Sequence, residues 1–236
     1  MKLINRKQPA VDDQAQQDLV VEANATRRSF LGRGGIVAAG GAALAIQMSS
    51  GNAQAQGKGK DTRSTFLDIQ RHENDHVAFL VQALGSSARP KPTFQNLLQP
   101  NFRIFYKVSQ ALENTGCGAY LGAAPALLSR QYLAAAGSIA LIEGRHAGWV
   151  NSLVGDPITT NVFGQEQSFE TPLTPAQVAN LAGPFIASLN GGPPLTYSST
   201  PSAANDIAIL NFALALEYLE ADFYNLNVPQ LLGHNQ

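Results

Sequence analysis

Residues 205–225 read NDIAILNFALALEYLEADFYN, an alanine- and leucine-rich stretch with the spacing of an amphipathic helix. Glu217 falls in the middle of the line of apolar residues. A helix is predicted over about residues 206–224, with Asn205 or Asp206 as its N-cap. A buried, ionised carboxylate is costly without a partner, so this helix predicts a partner for Glu217 elsewhere in the chain.

Three segments upstream have the same organisation. Helices are predicted over about residues 62–84, 100–123 and 129–154, because apolar residues recur there at alternating spacings of three and four. Each helix carries a glutamate at mid-length on its apolar line, and two carry a histidine three residues later. An all-α four-helix bundle is therefore predicted. The polar residues on the four apolar lines are Glu73, His76, Glu113, Glu143, His146 and Glu217.

A long linker separates the third predicted helix from the fourth. Residues 155–205 are rich in proline, glycine, serine and threonine, and one short helix is predicted after Thr174 and Pro175. Loops of this length are uncommon in compact domains and require a structural reason. No strand longer than a few residues is predicted.

Composition and charge restrict the class of protein. The chain has 236 residues, a formal net charge of -1, 44% hydrophobic residues and one cysteine, which indicates one globular domain without a disulfide framework. The near-balanced charge does not predict nucleic-acid binding. Cys117 is interpreted as a small buried residue. Gly116 and Gly118, which flank it, each cost roughly 1 kcal/mol in a helix and predict close packing there.

Residues 1–55 predict an export signal rather than part of the domain, which is assigned to residues 56–236. Paired arginines at residues 27–28 precede a weakly apolar stretch and an Ala-Gln-Ala cleavage pattern at residues 53–55. This order resembles a bacterial twin-arginine signal; the alternative is a basic disordered tail. The apolar stretch is too short to span a bilayer. We expect a cleaved, periplasmic or extracellular protein without a membrane span.

Four carboxylates directed into one bundle core would repel one another unless cations neutralised them. Two divalent ions carry the four positive charges required, so a dinuclear metal site is predicted. Carboxylates and neutral imidazoles suit iron or manganese, and zinc remains open. One glutamate from each of two helices, with Glu-x-x-His from each of the other two, is the ligand pattern of di-iron and di-manganese bundles.

The residues around these positions resemble the ferritin-like superfamily, and in detail its ferritin-like domain family, which is related to plant desiccation-related proteins. The resemblance covers nearly all of residues 62–225. The stretches that carry it are HENDHVAFLVQALG (72–85), ALENTGCGAYLGAAP (111–125), YLAAAGSIALIEGRHAGWV (132–150) and ILNFALALEYLEADFYN (209–225). It implies that all six polar residues named above are metal ligands.

The order of the helices departs from that of the family, because the stretch that resembles the family's first helix comes last here. The resemblance therefore implies a circularly permuted ferritin-like bundle, in which Glu217 corresponds to the first-helix ligand. The linker 155–205 would then run the length of the bundle, residues 86–100 would form the other long crossover, and residues 122–128 a tight turn. Alternatively, the last helix completes the bundle of another subunit in a homo-oligomer.

Other polar residues lie near the predicted ligands. Three side chains are candidates for contacts to a ligand carboxylate: Tyr120, Arg145 and Tyr224. For the two tyrosines, relay of a radical and simple core packing are the alternatives. Glu220 and Asp222 lie off the apolar line and are expected on a solvated face. His72 lies on a different face from Glu73 and is not predicted to be a ligand.

The predicted function is that of an exported metalloprotein with two divalent iron or manganese ions, reacting with peroxide or dioxygen in a catalase-like or ferroxidase-like manner. Whether the protein is an enzyme stays open. One alternative is a stress- or desiccation-related protein that uses the metal pair structurally or not at all. A purely helical interaction module is the other.

Overall fold

The structure, a computed structural model, describes residues 61–233. The predicted twin-arginine signal, residues 1–55, lies outside the described residues. The helices are α1 (Thr62–Leu84), α2 (Phe102–Ala123), α3 (Arg130–Val154), α4 (Pro175–Ala182) and α5 (Ala203–Leu232). Two short strands, β1 (Thr93–Phe94) and β2 (Ile186–Ser188), pair antiparallel. The predicted all-α class is confirmed, and among the described helices none has the length and apolar character needed to cross a membrane.

Each helix begins after a residue whose side chain accepts a hydrogen bond from the backbone N–H three residues later. These N-caps are Asp61, Asn101, Ser129, Thr174 and Ser202. At α4, Thr174 and Gln177 form a reciprocal capping box, so the short helix predicted there is present. The capping residues explain why the long helices begin where they do.

The predicted N-cap of α5, Asn205 or Asp206, is wrong, because both side chains are bonded elsewhere. The Asp206 carboxylate accepts hydrogen bonds from the backbone N–H groups of Leu128 and Ser129, at 2.7 and 3.0 Å. The Asn205 amide donates to the backbone carbonyl of Ala126. Both residues therefore attach α5 to the α2–α3 turn, and the helix begins earlier, at Ala203.

Helix α5 also continues past the predicted end at residue 224. It ends at Leu232 and includes Pro229 in its last turn. The Arg63 guanidinium donates a hydrogen bond of 2.7 Å to the Leu232 carbonyl, which gives the end of α5 a partner on the first turn of α1. The last turn of α5, which local helix propensity does not predict, therefore lies where the helix contacts α1.

The four long helices form two antiparallel pairs. Helix α5 lies antiparallel beside α1, as the contacts of Arg63 with Leu232 and of Gln70 with Asn225 show. Helix α3 lies antiparallel beside α2 and follows it through a tight turn. The connection over residues 85–101 joins the parallel helices α1 and α2, and the connection over residues 155–202 joins α3 to α5.

The long connection is packed on the bundle at α2. The Leu173 N–H donates a hydrogen bond of 2.9 Å to the Gly118 carbonyl. A Cβ at Gly122 would lie 1.9 Å from the Leu173 carbonyl oxygen, so only glycine permits this approach. Close packing explains the glycines of α2, and Cys117 beside them is buried.

An aromatic layer fills one end of the bundle. The Phe66 ring lies 4.7 Å from the ring of Phe105 and 4.9 Å from that of Trp149, measured between centroids. Phe105 lies 5.5 Å from Phe223, which brings α5 into the same layer. The predicted ligands lie next to this layer, in the middle of the bundle.

Candidate metal centre

The structure brings all six predicted ligands together in the interior of the bundle. One residue comes from α2, one from α5, and a Glu-x-x-His pair from each of α1 and α3. The four carboxylates are at most 2% exposed, and the two imidazoles at most 9%. The side chains form two groups, each with ligand atoms within 4.8 Å of one another: Glu73, Glu113, Glu143 and His146; and Glu73, His76, Glu143 and Glu217.

Two glutamates, Glu73 and Glu143, belong to both groups. Each group therefore contains three carboxylates and one imidazole, of which two carboxylates are shared. Glu113 and Glu217 are the unshared carboxylates, one in each group. A carboxylate has two oxygens, so each shared glutamate can contribute a ligand atom to both groups.

Both histidines present the same ring nitrogen to the carboxylates. The Nδ1 atom of His146 lies 3.0 Å from Glu73 Oε1 and 3.1 Å from Glu113 Oε2. The Nδ1 atom of His76 lies 3.2 Å from Glu143 Oε1 and from Glu217 Oε2. Nδ1 is therefore the atom that each imidazole would offer to a metal ion.

Several buried carboxylate oxygens have no hydrogen-bond partner within the described part of the chain. They are Glu73 Oε1 and both oxygens of Glu143, the two shared side chains. Both Oε1 atoms lie near an imidazole nitrogen, but outside hydrogen-bond geometry. Such atoms are costly to bury, and divalent cations would supply the missing partners. The residues present therefore fit divalent metal binding.

Two tyrosines hold the unshared carboxylates. The Tyr120 hydroxyl donates a short hydrogen bond to Glu217 Oε1, and the Tyr224 hydroxyl donates one of 2.5 Å to Glu113 Oε1. Burial, followed by the neighbouring carboxylate, raises the pKa of both phenols well above its usual value. Both tyrosines therefore remain neutral donors, and they make the carboxylate contacts for which they were candidates.

The prediction that Arg145 pairs with a ligand carboxylate is wrong. The Arg145 side chain is exposed, and it donates a hydrogen bond of 2.9 Å to the Leu141 carbonyl of its own helix. Position 145 is two residues after Glu143, and this spacing turns a helical side chain away from the face that carries the glutamate.

His72, which was not predicted at the site, contacts it from outside. Its Nδ1 lies 2.9 Å from Nε2 of His146, and the two rings are stacked with centroids 5.1 Å apart. His72 is therefore a partner for the second ring nitrogen of His146, the position that a carboxylate, a backbone carbonyl or water usually takes at a metal-binding histidine. His72 does not interrupt the apolar line of α1, so helical periodicity gives no signal for it.

Glu220 is also part of this region, and the prediction that it lies on a solvated face is wrong. It is 4% exposed and lines a cavity of about 40 Å³ together with Thr115 and Gly116. Leu181, Ala182 and Phe185 of the long connection line the same cavity and cover this side of α5. Asp222 is partly exposed and forms an ion pair with Lys91 at 2.6 Å.

Without cations, the cluster retains protons. Burial, followed by the charge of Glu73, raises the pKa of Glu143 well above its usual range. Burial of the His146 ring opposes protonation, but the Glu113 carboxylate beside it and their hydrogen bond outweigh burial and raise the pKa of His146 to about 11. Metal ions would therefore displace protons when they bind.

The fold and the cluster together define a class: an all-α bundle with a buried carboxylate–histidine centre that is compatible with divalent metal binding. The model of the ferritin-like domain family matches residues 37–156, about half of the chain, and the chain belongs to this family. The matched residues include α1, α2 and α3 and end before α5. No curated protein and no solved structure matches the chain.

Proposed function

We propose that the protein is a dinuclear metalloprotein in which iron or manganese reacts with peroxide or dioxygen. The observation that carries the proposal is the sharing of Glu73 and Glu143 between two groups of buried ligands. Three carboxylates and one imidazole per ion leave coordination positions for a small oxidant. When bound, the metal pair would supply the redox chemistry, because iron and manganese ions can give electrons to the oxidant and take electrons back in catalase-like or ferroxidase-like reactions.

The residues of the chain have three tasks in this proposal. The shared carboxylates hold the two ions next to each other, and the two imidazoles supply one nitrogen to each ion. Tyr120 and Tyr224 fix the orientation of the unshared carboxylates through their hydroxyl groups. The aromatic layer around Phe66 and Phe105 keeps water from one side of the cluster.

Assays of the purified protein test this function. We expect the iron- or manganese-loaded protein to consume peroxide or to oxidise ferrous iron, and Glu143→Gln to lose this activity because both ions share Glu143. Glu170→Gln, the same change at an exposed position of the long connection, is the control and keeps the activity. A loaded wild-type protein that turns over neither substrate contradicts the proposal.

The second candidate function is that of a stress- or desiccation-related protein in which the ions only hold the bundle together. The observation that favours it is that the cluster takes side chains from all four long helices, so bound ions would cross-link the bundle. Bound metal that raises the melting temperature, without any turnover of peroxide or ferrous iron, would support this function over the first.

We also infer that the chain is a circular permutation of the family's helix order. Two observations support this: α5 lies antiparallel beside α1 with Leu232 next to Arg63, and the family match ends at residue 156. A short loop from the end of α5 to the start of α1 would give a helical hairpin in which α5 comes first, as in the family's helix order.

A rejoined variant tests the permutation. A short loop joins residue 233 to residue 61, and the chain is opened within residues 198–201, which are exposed. We expect a folded monomeric bundle with unchanged metal content. A variant that is helical only as an oligomer would favour exchange of α5 between subunits and contradict the permutation.

We propose further that residues 1–55 direct export by the twin-arginine route. The paired arginines, the weakly apolar stretch and the Ala-Gln-Ala pattern support this. Replacement of the arginines at residues 27–28 with lysine is expected to keep the protein in the cytoplasm. An unprocessed N-terminus on protein recovered from outside the cytoplasm would contradict the cleavage at residues 53–55.

A further inference from the structure

A second cavity lies between the ligand cluster and the α2–α3 turn. Its volume is about 30 Å³, and all four long helices contribute to its wall. Apart from Tyr120 and Tyr132, every side chain that lines it is a hydrocarbon. A cavity with such a wall has almost nothing to offer a polar ligand.

Several residues that line the cavity lie one helical turn from the predicted ligands. Leu80 follows the ligand His76 by one helical turn, and Ile139 precedes Glu143 by one turn. Tyr120 belongs to both features, because its ring lines the cavity and its hydroxyl donates to Glu217. A molecule in the cavity is therefore adjacent to the side chain that holds an unshared carboxylate.

The side of the cavity between α1, α3 and α5 faces outward. Phe79, Tyr132, Ala136 and Ala213 line it and are all partly exposed. Small movements of these side chains would admit a small molecule from solvent. The opposite side is closed by buried leucine and alanine residues, which include Ala119 and Leu216.

Size and polarity select one occupant among the two oxidants. A buried water molecule requires a cavity volume of about 10–15 Å³ and two to four polar partners. The cavity therefore has the volume of about two water molecules, but its wall lacks the polar partners that they need. Peroxide has the same requirement for hydrogen bonds as water. The cavity beside Glu220 provides polar groups, and this one does not.

We infer that this apolar cavity, lined in part by Ala136 and Ala213, binds dioxygen and delivers it to the metal centre past Tyr120. The inference rests on the proposed function and deepens it, because it assigns dioxygen, rather than peroxide, to this side of the site. Dioxygen is diatomic and apolar, and dry apolar cavities in proteins take up such small apolar ligands and also xenon.

Xenon binding to crystals of the metal-free protein tests the cavity independently of any chemistry. We expect a xenon atom in the cavity of the wild type, and none in Ala136→Leu, where the larger side chain fills the space. Ala140→Leu is the matched control, because Ala140 lies one turn further along α3, has a similar exposure and does not line the cavity. Ala213→Leu fills the cavity from α5 and replaces Ala136→Leu if that variant does not fold.

Oxidation rates of the ferrous-loaded protein test delivery. We expect Ala136→Leu to slow oxidation by dioxygen by roughly tenfold and to leave anaerobic oxidation by peroxide within about twofold of wild type. An equal effect on both oxidants, or a cavity without xenon in the wild type, would overturn the inference. A wild type that reacts with neither oxidant refutes the proposed function instead, and xenon alone then decides whether the cavity takes apolar ligands.

Discussion

At the scale of single residues, Gly116 is the position where α2 leaves room for Glu143. A Cβ at residue 116 would lie 2.7 Å from Glu143 Oε2, so a methyl group would displace the shared carboxylate. We expect Gly116→Ala to lower manganese affinity by about 10–100-fold, the range found when groups that orient metal ligands are lost. Calorimetric titration measures this affinity.

A second glycine provides the control for this change. Gly137 of α3 is exposed, and a Cβ there would meet nothing within 4 Å. Gly137→Ala should keep the metal affinity and stabilise the helix by up to roughly 1 kcal/mol. Equal affinities of Gly116→Ala and Gly137→Ala would show that Glu143 does not occupy the position described.

His72 is the residue expected to orient His146. Loss of its ring in His72→Ala removes the partner of His146 Nε2 and should weaken metal binding by about tenfold or more. His72→Gln, which keeps a hydrogen-bonding group, should restore part of the affinity. Arg71→Ala is the control, because Arg71 is exposed, touches His72 at the nitrogen that faces away from His146, and otherwise pairs with Asp68 and Asp75. A similar loss in Arg71→Ala would argue against orientation by His72.

The sequence predicts the six clustered residues because each is a polar interruption of an otherwise apolar helical line. Glu220 and His72 do not interrupt such a line. Their environment comes from other parts of the chain: Leu181, Ala182 and Phe185 line the cavity beside Glu220, and His146 of α3 contacts His72. Helical periodicity describes one helix at a time and therefore does not predict either contact.

At the scale of the elements, the long connection depends on glycine in α2. Gly122→Ala would place a methyl group 1.9 Å from the Leu173 carbonyl oxygen and force the connection away from the helix. We expect a loss of about 1–3 kcal/mol in the free energy of unfolding, as for other overpacked sites. Urea denaturation measures the loss.

The matched control for this variant is Gly144→Ala in α3, where a Cβ would meet nothing within 4 Å. Limited proteolysis provides a second readout, because a displaced connection exposes residues around Leu173. Unchanged stability and unchanged proteolysis of Gly122→Ala would contradict the close approach of the connection to α2.

The bounds of α5 differ from those that helical periodicity predicts, whereas the bounds of the other long helices agree with it. The three upstream helices are close to their predicted bounds, because N-cap residues begin all three and glycines end α1 and α3. Helix α5 starts and ends outside its predicted bounds. Asp206 is engaged by the α2–α3 turn and Leu232 contacts α1, and neither tertiary contact is encoded in the local pattern.

At the scale of the whole molecule, the buried carboxylates make the metal-free protein sensitive to pH. Burial raises the pKa of Glu73, Glu143 and Glu220 above their ordinary value of 4.5, and the neighbouring carboxylates add to it. A group with a raised pKa stabilises the folded state below its unfolded value and loses that contribution as the pH rises. The pKa of Glu217 is lowered, because the His76 charge outweighs the effect of burial. Glu217 therefore stabilises the folded state above its ordinary pKa and loses that contribution as the pH falls.

We therefore expect the melting temperature of the metal-free protein to fall between about pH 5 and about pH 8. His146, whose pKa is raised from 6.5 to about 11, keeps its full contribution below about pH 6.5 and adds to the decline above it. Manganese-loaded protein should lose this decline, because cations replace the protons. Circular dichroism measures both melting curves, and a metal-free melting temperature that rises over the window would contradict the account.

The number of ions bound per chain tests the dinuclear centre most directly. Elemental analysis of protein loaded with manganese should give about two ions in the wild type. Glu113→Gln, at an unshared ligand, should retain about one ion, whereas Glu143→Gln, at a shared ligand, should retain almost none. A wild type with one ion or none, or the same ion content in both variants, would contradict a centre built on two shared carboxylates.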